Sequence, residues 1–105
     1  MAVQHLFNSS GKWLGFRAGR YVFSDSGEWI GWLPWDDSDV VDRNGQYLGT
    51  IINGNRLYRF LYRPDRAYPG YLPYREYQGY PQYPGDAEYS PLPAGAQAIE
   101  ELEAD

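Results

Sequence analysis

The sequence predicts an all-β fold: a small symmetric β-barrel of four hairpin repeats, followed by an irregular C-terminal tail. Three observations predict it. One unit recurs as LFNSSGKWLGF (6–16), VFSDSGEWIGW (22–32) and VVDRNGQYLGT (40–50), with LYRPDRAYPGY (61–71) as a weaker fourth copy, and self-similarity at a fixed period marks a repeat architecture. Each of the first three copies carries a polar turn ending in Gly, flanked by the β-branched and aromatic residues that strands prefer. No stretch within the repeats shows a convincing helical pattern.

Taken in order, the turns Asn8-Ser9-Ser10-Gly11, Ser24-Asp25-Ser26-Gly27 and Asp42-Arg43-Asn44-Gly45 supply residues that hydrogen-bond their own backbone and tolerate positive φ. Each copy therefore reads as a tight hairpin. The fourth turn, Arg63-Pro64-Asp65-Arg66, has no Gly and reads as looser. The returns between copies fall at Ala18-Gly19, at Pro34-Trp35-Asp36-Asp37-Ser38 and at Asn53-Gly54-Asn55, giving seven or eight short strands. A second glycine sits inside a strand in each copy, at Gly15, Gly31, Gly49 and Gly70. Such a glycine weakens a strand unless a bulge, a bend or a close approach of another segment requires it, and its recurrence suggests a sheet curving into a barrel. The repeats define a domain over residues 1–73.

Residues 74–105 read as a separate Tyr/Pro-rich acidic tail, extended or disordered. Tyr68, Tyr71, Tyr74, Tyr77, Tyr80 and Tyr83 recur at every third residue among prolines, the period of polyproline II, although low complexity alone explains such a tract. The final AGAQAIEELEAD holds enough helix formers for a short, frayed helix.

The fourfold G-x-[WY]-[LI]-G pattern over residues 6–72 resembles the bacterial four-fold β-flower proteins. The resemblance implies a shallow barrel of hairpin petals about a fourfold pseudo-axis, and it brings no catalytic residue with it. The fourth copy departs from the pattern, with Pro69 at the aliphatic position and Arg66 at the first Gly. A fainter similarity is to choline- and cell-wall-binding repeats, which use Gly- and Trp-rich hairpins, though the aromatic spacing here differs.

Composition narrows the function. The chain has 105 residues and no Cys, which removes disulfides, thiolate metal ligands and a cysteine nucleophile. Its single His is His5, outside any Gly-x-Ser-x-Gly context. The net charge of -5 is uneven: residues 1–66 sum to +1 and residues 67–105 to -6. A near-neutral body with an acidic extension argues against general nucleic-acid binding. The N-terminal stretch lacks the pattern of a signal peptide and no run is apolar enough to span a membrane, so a cytoplasmic protein is expected. No cofactor and no metal are expected; Asp36-Asp37-Ser38-Asp39 and Asp42 lack the spacing of a calcium loop and read as a solvated turn.

The aromatics of the repeat, Trp13, Trp29, Tyr47 and Tyr68, alternate with the aliphatics Leu14, Ile30 and Leu48, so the two sets face opposite sides of the sheet. One set fills the barrel axis; the other packs under loops or forms an exposed platform. Trp32 and Trp35 flank Pro34 in a return loop, where an exposed pair would suit a sugar, a quaternary ammonium or a proline-rich peptide, and a buried pair would cap the barrel end. Arg56, Arg59, Arg63 and Arg66, with Tyr58 and Tyr62 between them, form the basic cluster, and the acidic tail or the Asp loop is its simplest partner. The expectation is a non-catalytic binding or assembly module with a protein partner or self-association, a small ligand being a further candidate. Its expected contact set is Trp32, Trp35, Trp13, Trp29, Tyr47 and Tyr68, with Gly15, Gly31, Gly49 and Gly70 structural. The alternatives are a carbohydrate- or lipid-headgroup-binding domain and a small carboxylate-based enzyme.

Overall fold

The computed structural model describes residues 3–35, 38–61 and 84–102. They form eight strands: β1 (Gln4–Phe7), β2 (Trp13–Ala18), β3 (Tyr21–Ser24), β4 (Trp29–Trp32), β5 (Asp39–Asp42), β6 (Tyr47–Ile52), β7 (Arg56–Phe60) and β8 (Ala96–Ala98). Strands β1 to β7 pair antiparallel in chain order. A contact between β1 and β7 closes them into a seven-stranded barrel, with Phe7 in register with Arg56 and its N–H donating to the Asn55 carbonyl at 2.9 Å. Strand β8 is an eighth, added to the outer edge of β7. No helix occurs among the described residues, and the expected all-β barrel is what the chain forms.

The first three hairpins share one internal brace, which follows from the residue that opens each turn. Asn8 Oδ1 accepts from the N–H groups of Ser10 and Lys12 at 3.1 and 2.9 Å. Ser24 Oγ accepts from Ser26 and Glu28, both at 3.3 Å. Asp42 Oδ1 accepts from Asn44 and Gln46 at 2.8 and 3.0 Å. A short side-chain oxygen at this place thus satisfies two turn amides that the ladder leaves over. The chain reverses through Gly11, Gly27 and Gly45, at φ of 91, 88 and 84°, in the three-residue hairpin loop that needs a positive-φ residue last.

Just beyond each turn the register slips by one. Phe7 opposes Trp13 while Leu6 opposes Gly15, leaving Leu14 as the extra residue of a β-bulge. The same slip leaves out Ile30 between Trp29 and Gly31, and Leu48 between Tyr47 and Gly49. Bulges bend the bulged strand and sharpen its twist, and here they turn these aliphatics toward the axis. Two tiers of aliphatics result. Leu6, Val22, Val40 and Leu57 have no exposed surface; Leu14, Ile30, Leu48 and Ile99 form the second tier, closed by Leu33, Ile51 and Leu102 in the same cluster. The aliphatic set therefore fills the axis, and the aromatic set lies outside it.

The glycines inside the strands answer to a close approach. A Cβ on Gly15 or Gly31 would fall inside contact distance of the Phe23 or Val41 carbonyl oxygen of the next strand, whereas at Gly49 the nearest atom, Tyr58 O, is 3.0 Å away. Gly70 lies outside the described residues.

The structure corrects the sequence reading at the fourth repeat. The expected copy began at Leu61, which is exposed, while the buried place equivalent to Leu6 belongs to Leu57. Tyr58 is in register with Ala98 as Phe7 is with Trp13, Phe23 with Trp29 and Val41 with Tyr47. The fourth hairpin is therefore β7 with β8, and residues 61–95 stand where the other hairpins have a three-residue loop.

The same pairing corrects the reading of the C-terminal stretch. Within the expected tail, Ala96–Ala98 is a strand and not part of a helix, and Ile99 and Leu102 are core residues. Upstream of them, Ala87 and Ser90 donate backbone hydrogen bonds to the Gly11 and Ser9 carbonyls, each at 2.8 Å. The edge of β7 offers ladder bonds and the barrel end offers an apolar socket, and tertiary packing of this kind overrides a short helix propensity. The tyrosine tract up to Tyr83 lies outside the described residues.

Candidate functional site

The open end of the barrel holds a groove of 510 Å³. Its floor is apolar, made by the bulge residues Ile30 and Leu48 together with Ile99 and Leu102, and its rim is charged, carrying Asp42, Arg59, Glu100 and Glu101. Each lining residue is placed by an element already described. The bulges of β4 and β6 push Ile30 and Leu48 to the axis, the turn brace fixes Asp42, and β8 carries Ile99 and the two glutamates in behind it. Arg59 is set at the rim by its Nε–H, which donates to the Leu48 carbonyl at 3.1 Å. Arg59 lines the same groove as Glu100 and Glu101. Ile30, Ile99 and Leu102 are themselves buried, so the groove offers mostly polar and charged surface over a small apolar base, which suits a short polar or amphipathic segment.

The other members of the Arg cluster divide. Arg56 is buried and its Nη1 donates to the Asn8 carbonyl at 2.9 Å, so it ties the last barrel strand to the first turn. Arg63 and Arg66 lie outside the described residues. The Asp loop divides too: Asp39, expected in a solvated turn, is 2% exposed and accepts from Thr50 Oγ1 at 2.8 Å. Asp42 is the brace of the third hairpin, while Asp36 and Asp37 lie outside the described residues. No group of three His, Asp or Glu side chains is arranged to hold a metal among the described residues.

Among the described residues, none of the sequence-predicted contact residues lines the groove. Trp13 and Trp29 are buried on the outer face of the barrel. Trp13 meets the His5 ring edge-to-face at 5.7 Å. Trp29 packs with Phe16 and Phe23, donates from Nε1 to the Gly31 carbonyl at 2.7 Å, and lies under the Arg43 guanidinium at 5.9 Å. Tyr47 is half-buried, its hydroxyl 2.8 Å from Thr50 Oγ1 and accepting from the Phe60 N–H at 3.1 Å. Trp32 is half-buried against the outer aromatic cluster, and Trp35 is half-buried in the return loop. Tyr68 lies outside the described residues. The repeat aromatics that the structure describes thus stiffen the hairpins from outside.

Sequence reasoning passed over the residues that make the groove. Leu48 and Ile30 carried a signal as repeat aliphatics, but Gln97, Ile99, Glu100, Glu101 and Leu102 did not, because they enter only through the long-range pairing of β8. No helix of the described residues is long and apolar enough to cross a membrane.

Set against known proteins, the chain matches the family model described as "4-fold beta flower protein" over residues 2–96. No curated protein and no solved structure matches.

Proposed function

The chain belongs to the 4-fold beta flower family, and from that premise we propose that it is a non-catalytic binding or assembly module whose recognition surface is built at its fourth hairpin. One observation carries the reading. Three hairpins end in the same braced three-residue loop, and the fourth, in the same register, carries residues 61–95. A rigid scaffold that presents one long connection among short ones is how binding loops are held in many folds. The connection leaves β7 one residue past Arg59 and enters β8 one residue before Gln97, and both of these residues line the groove. Its composition suits contact: it holds Tyr62, Tyr68, Tyr71, Tyr74, Tyr77, Tyr80, Tyr83 and Tyr89, and tyrosine combines a large apolar face with a polar tip, the property that enriches it at interfaces.

The test replaces residues 61–95 with the five-residue brace Asp-Arg-Asn-Gly-Gln of the third hairpin. The full chain is expected to retain a defined protein partner, or to self-associate, while the braced variant stays folded and does neither. A braced variant that binds the same partner with the same affinity overturns the proposal.

A second reading, recognition of a carbohydrate or a lipid headgroup, draws on Trp32 and Trp35, which lie half-buried around the return loop. A saturable change in tryptophan emission on titration with saccharide, abolished by Trp32→Ala, would favour it over a protein partner.

A further inference from the structure

Strand β8 and the residues after it pack on the barrel as a separate insert. Their contacts fall into three groups: the ladder pairs Tyr58–Ala98, Arg59–Gln97 and Phe60–Ala96, the burial of Ile99 and Leu102 in the axial core, and polar ties from Asn8 Nδ2 to the Ile99 carbonyl at 3.2 Å and from Lys12 Nζ to the Glu100 carbonyl at 2.9 Å. All three are made to a barrel that β1 to β7 already close. The insert joins that barrel through residues 61–95, of which Ala87 and Ser90 also dock on the barrel at the Gly11 and Ser9 carbonyls, and nothing in these contacts requires that the residues making them come from the same chain.

We propose that residues 96–102 exchange between two copies of this chain, each barrel receiving the β8 insert of its partner. The bound insert sees the same edge of β7 and the same axial socket in both arrangements, so the exchanged dimer preserves the interactions of the closed monomer. Two copies that trade one identical element form a closed two-fold assembly. The balance then rests on the effective concentration of the tethered insert, on the order of millimolar where a linker spans its two sites. At micromolar concentration each barrel keeps its own insert, and exchange appears near millimolar concentration or when residues 61–95 are deleted outright and no turn residue remains. The register makes this geometrically specific. If Phe60 is joined directly to Ala96, no residue remains for a turn, while the smallest common hairpins use two loop residues. β7 and β8 then run as one strand, and pairing Phe60 with Ala96 of a second copy places a two-fold axis between those positions and restores every β7–β8 pair. This goes beyond the proposed partner-binding role, since it concerns only the chain's own insert.

The absence of cysteine from the sequence allows a direct test on the full chain. Arg59 and Gln97 are exposed and in register. Arg59→Cys and Gln97→Cys are prepared as two separate variants, mixed, refolded together at about 1 mM, where a tethered insert meets its competition, and then oxidised. The expected result is a 59–97 interchain disulfide in clear excess over the 59–59 and 97–97 products. The double variant refolded under dilute conditions closes the same bond within one chain and checks the register. A random distribution of the three interchain products overturns the proposal. As a second measurement, the chain lacking residues 61–95 is expected to be a dimer by light scattering; a folded monomer overturns the proposal, and if that variant does not fold the cysteine mixture alone decides it. Loss of partner binding in the braced variant leaves both results unaffected, so the two proposals fail separately.

Discussion

Ile99 stands to Leu57 as Leu14 stands to Leu6: each pair flanks a registered outer pair, Tyr58–Ala98 in one case and Phe7–Trp13 in the other, and all four aliphatics share one core cluster. Position 14 follows position 6 within a single short hairpin. Position 99 comes to position 57 from the far side of residues 61–95 in the sequence. The fourth hairpin is thus the same object as the first, assembled from distant pieces.

Ile99→Ala should destabilise the protein by about 2–4 kcal/mol, the range for removing a buried aliphatic side chain. Truncation after residue 95 should cost more, because it removes Ile99, Leu102 and the β8 ladder together. Urea unfolding of the three chains checks both. If Ile99→Ala changes stability by less than the error of the measurement, Ile99 is not a core residue.

The glycines inside the strands should differ in a definite order. Gly15→Ala and Gly31→Ala drive a methyl into the carbonyl of the next strand and should each cost about 1–3 kcal/mol or more. Gly49→Ala, with 3.0 Å to its nearest neighbour, needs only a small adjustment and should cost less than either. Thermal denaturation of the three variants ranks them, and an equal loss at all three would contradict the close-approach account.

The three braces should also separate. Ser24→Ala removes a side-chain acceptor from two turn amides and should cost about 0.5–1.5 kcal/mol. Asn8→Ala removes the same brace and also the Nδ2 bond to the Ile99 carbonyl, so its loss should be larger and partly shared with deletion of the insert. In the chain truncated after residue 95, the difference between Asn8→Ala and Ser24→Ala should shrink, which a double-mutant cycle measures.

Tryptophan accessibility should follow burial. Trp13 and Trp29 are 9% and 5% exposed, whereas Trp32 and Trp35 are half-buried. In acrylamide quenching of the full chain, Trp32→Phe and Trp35→Phe should lower the quenchable fraction, and Trp29→Phe should raise it, because it removes a shielded emitter. A large drop with Trp29→Phe would mean that the outer face opens in solution.

By itself the sequence determined the first three hairpins, their braced turns and positive-φ glycines, the returns at Gly19 and Asn53-Gly54, and the all-β class. These are short-range matters. A turn oxygen meets amides two and four residues on, and a hairpin pairs its own neighbours, so the residues that decide the structure lie inside the window that a reader of the sequence sees. Tertiary structure alone decided the rest: that the aliphatics and not the aromatics fill the axis, that Asp39 and Arg56 are buried in hydrogen bonds, that β7 pairs with β8, and that the groove is lined by Gln97–Leu102. Residues 96–102 have no brace, no turn glycine and no aromatic to mark them as the second half of a hairpin. Their strand state comes from the free edge of β7 and the unfilled places beside Leu57, and such a site exists only after the rest of the barrel has closed.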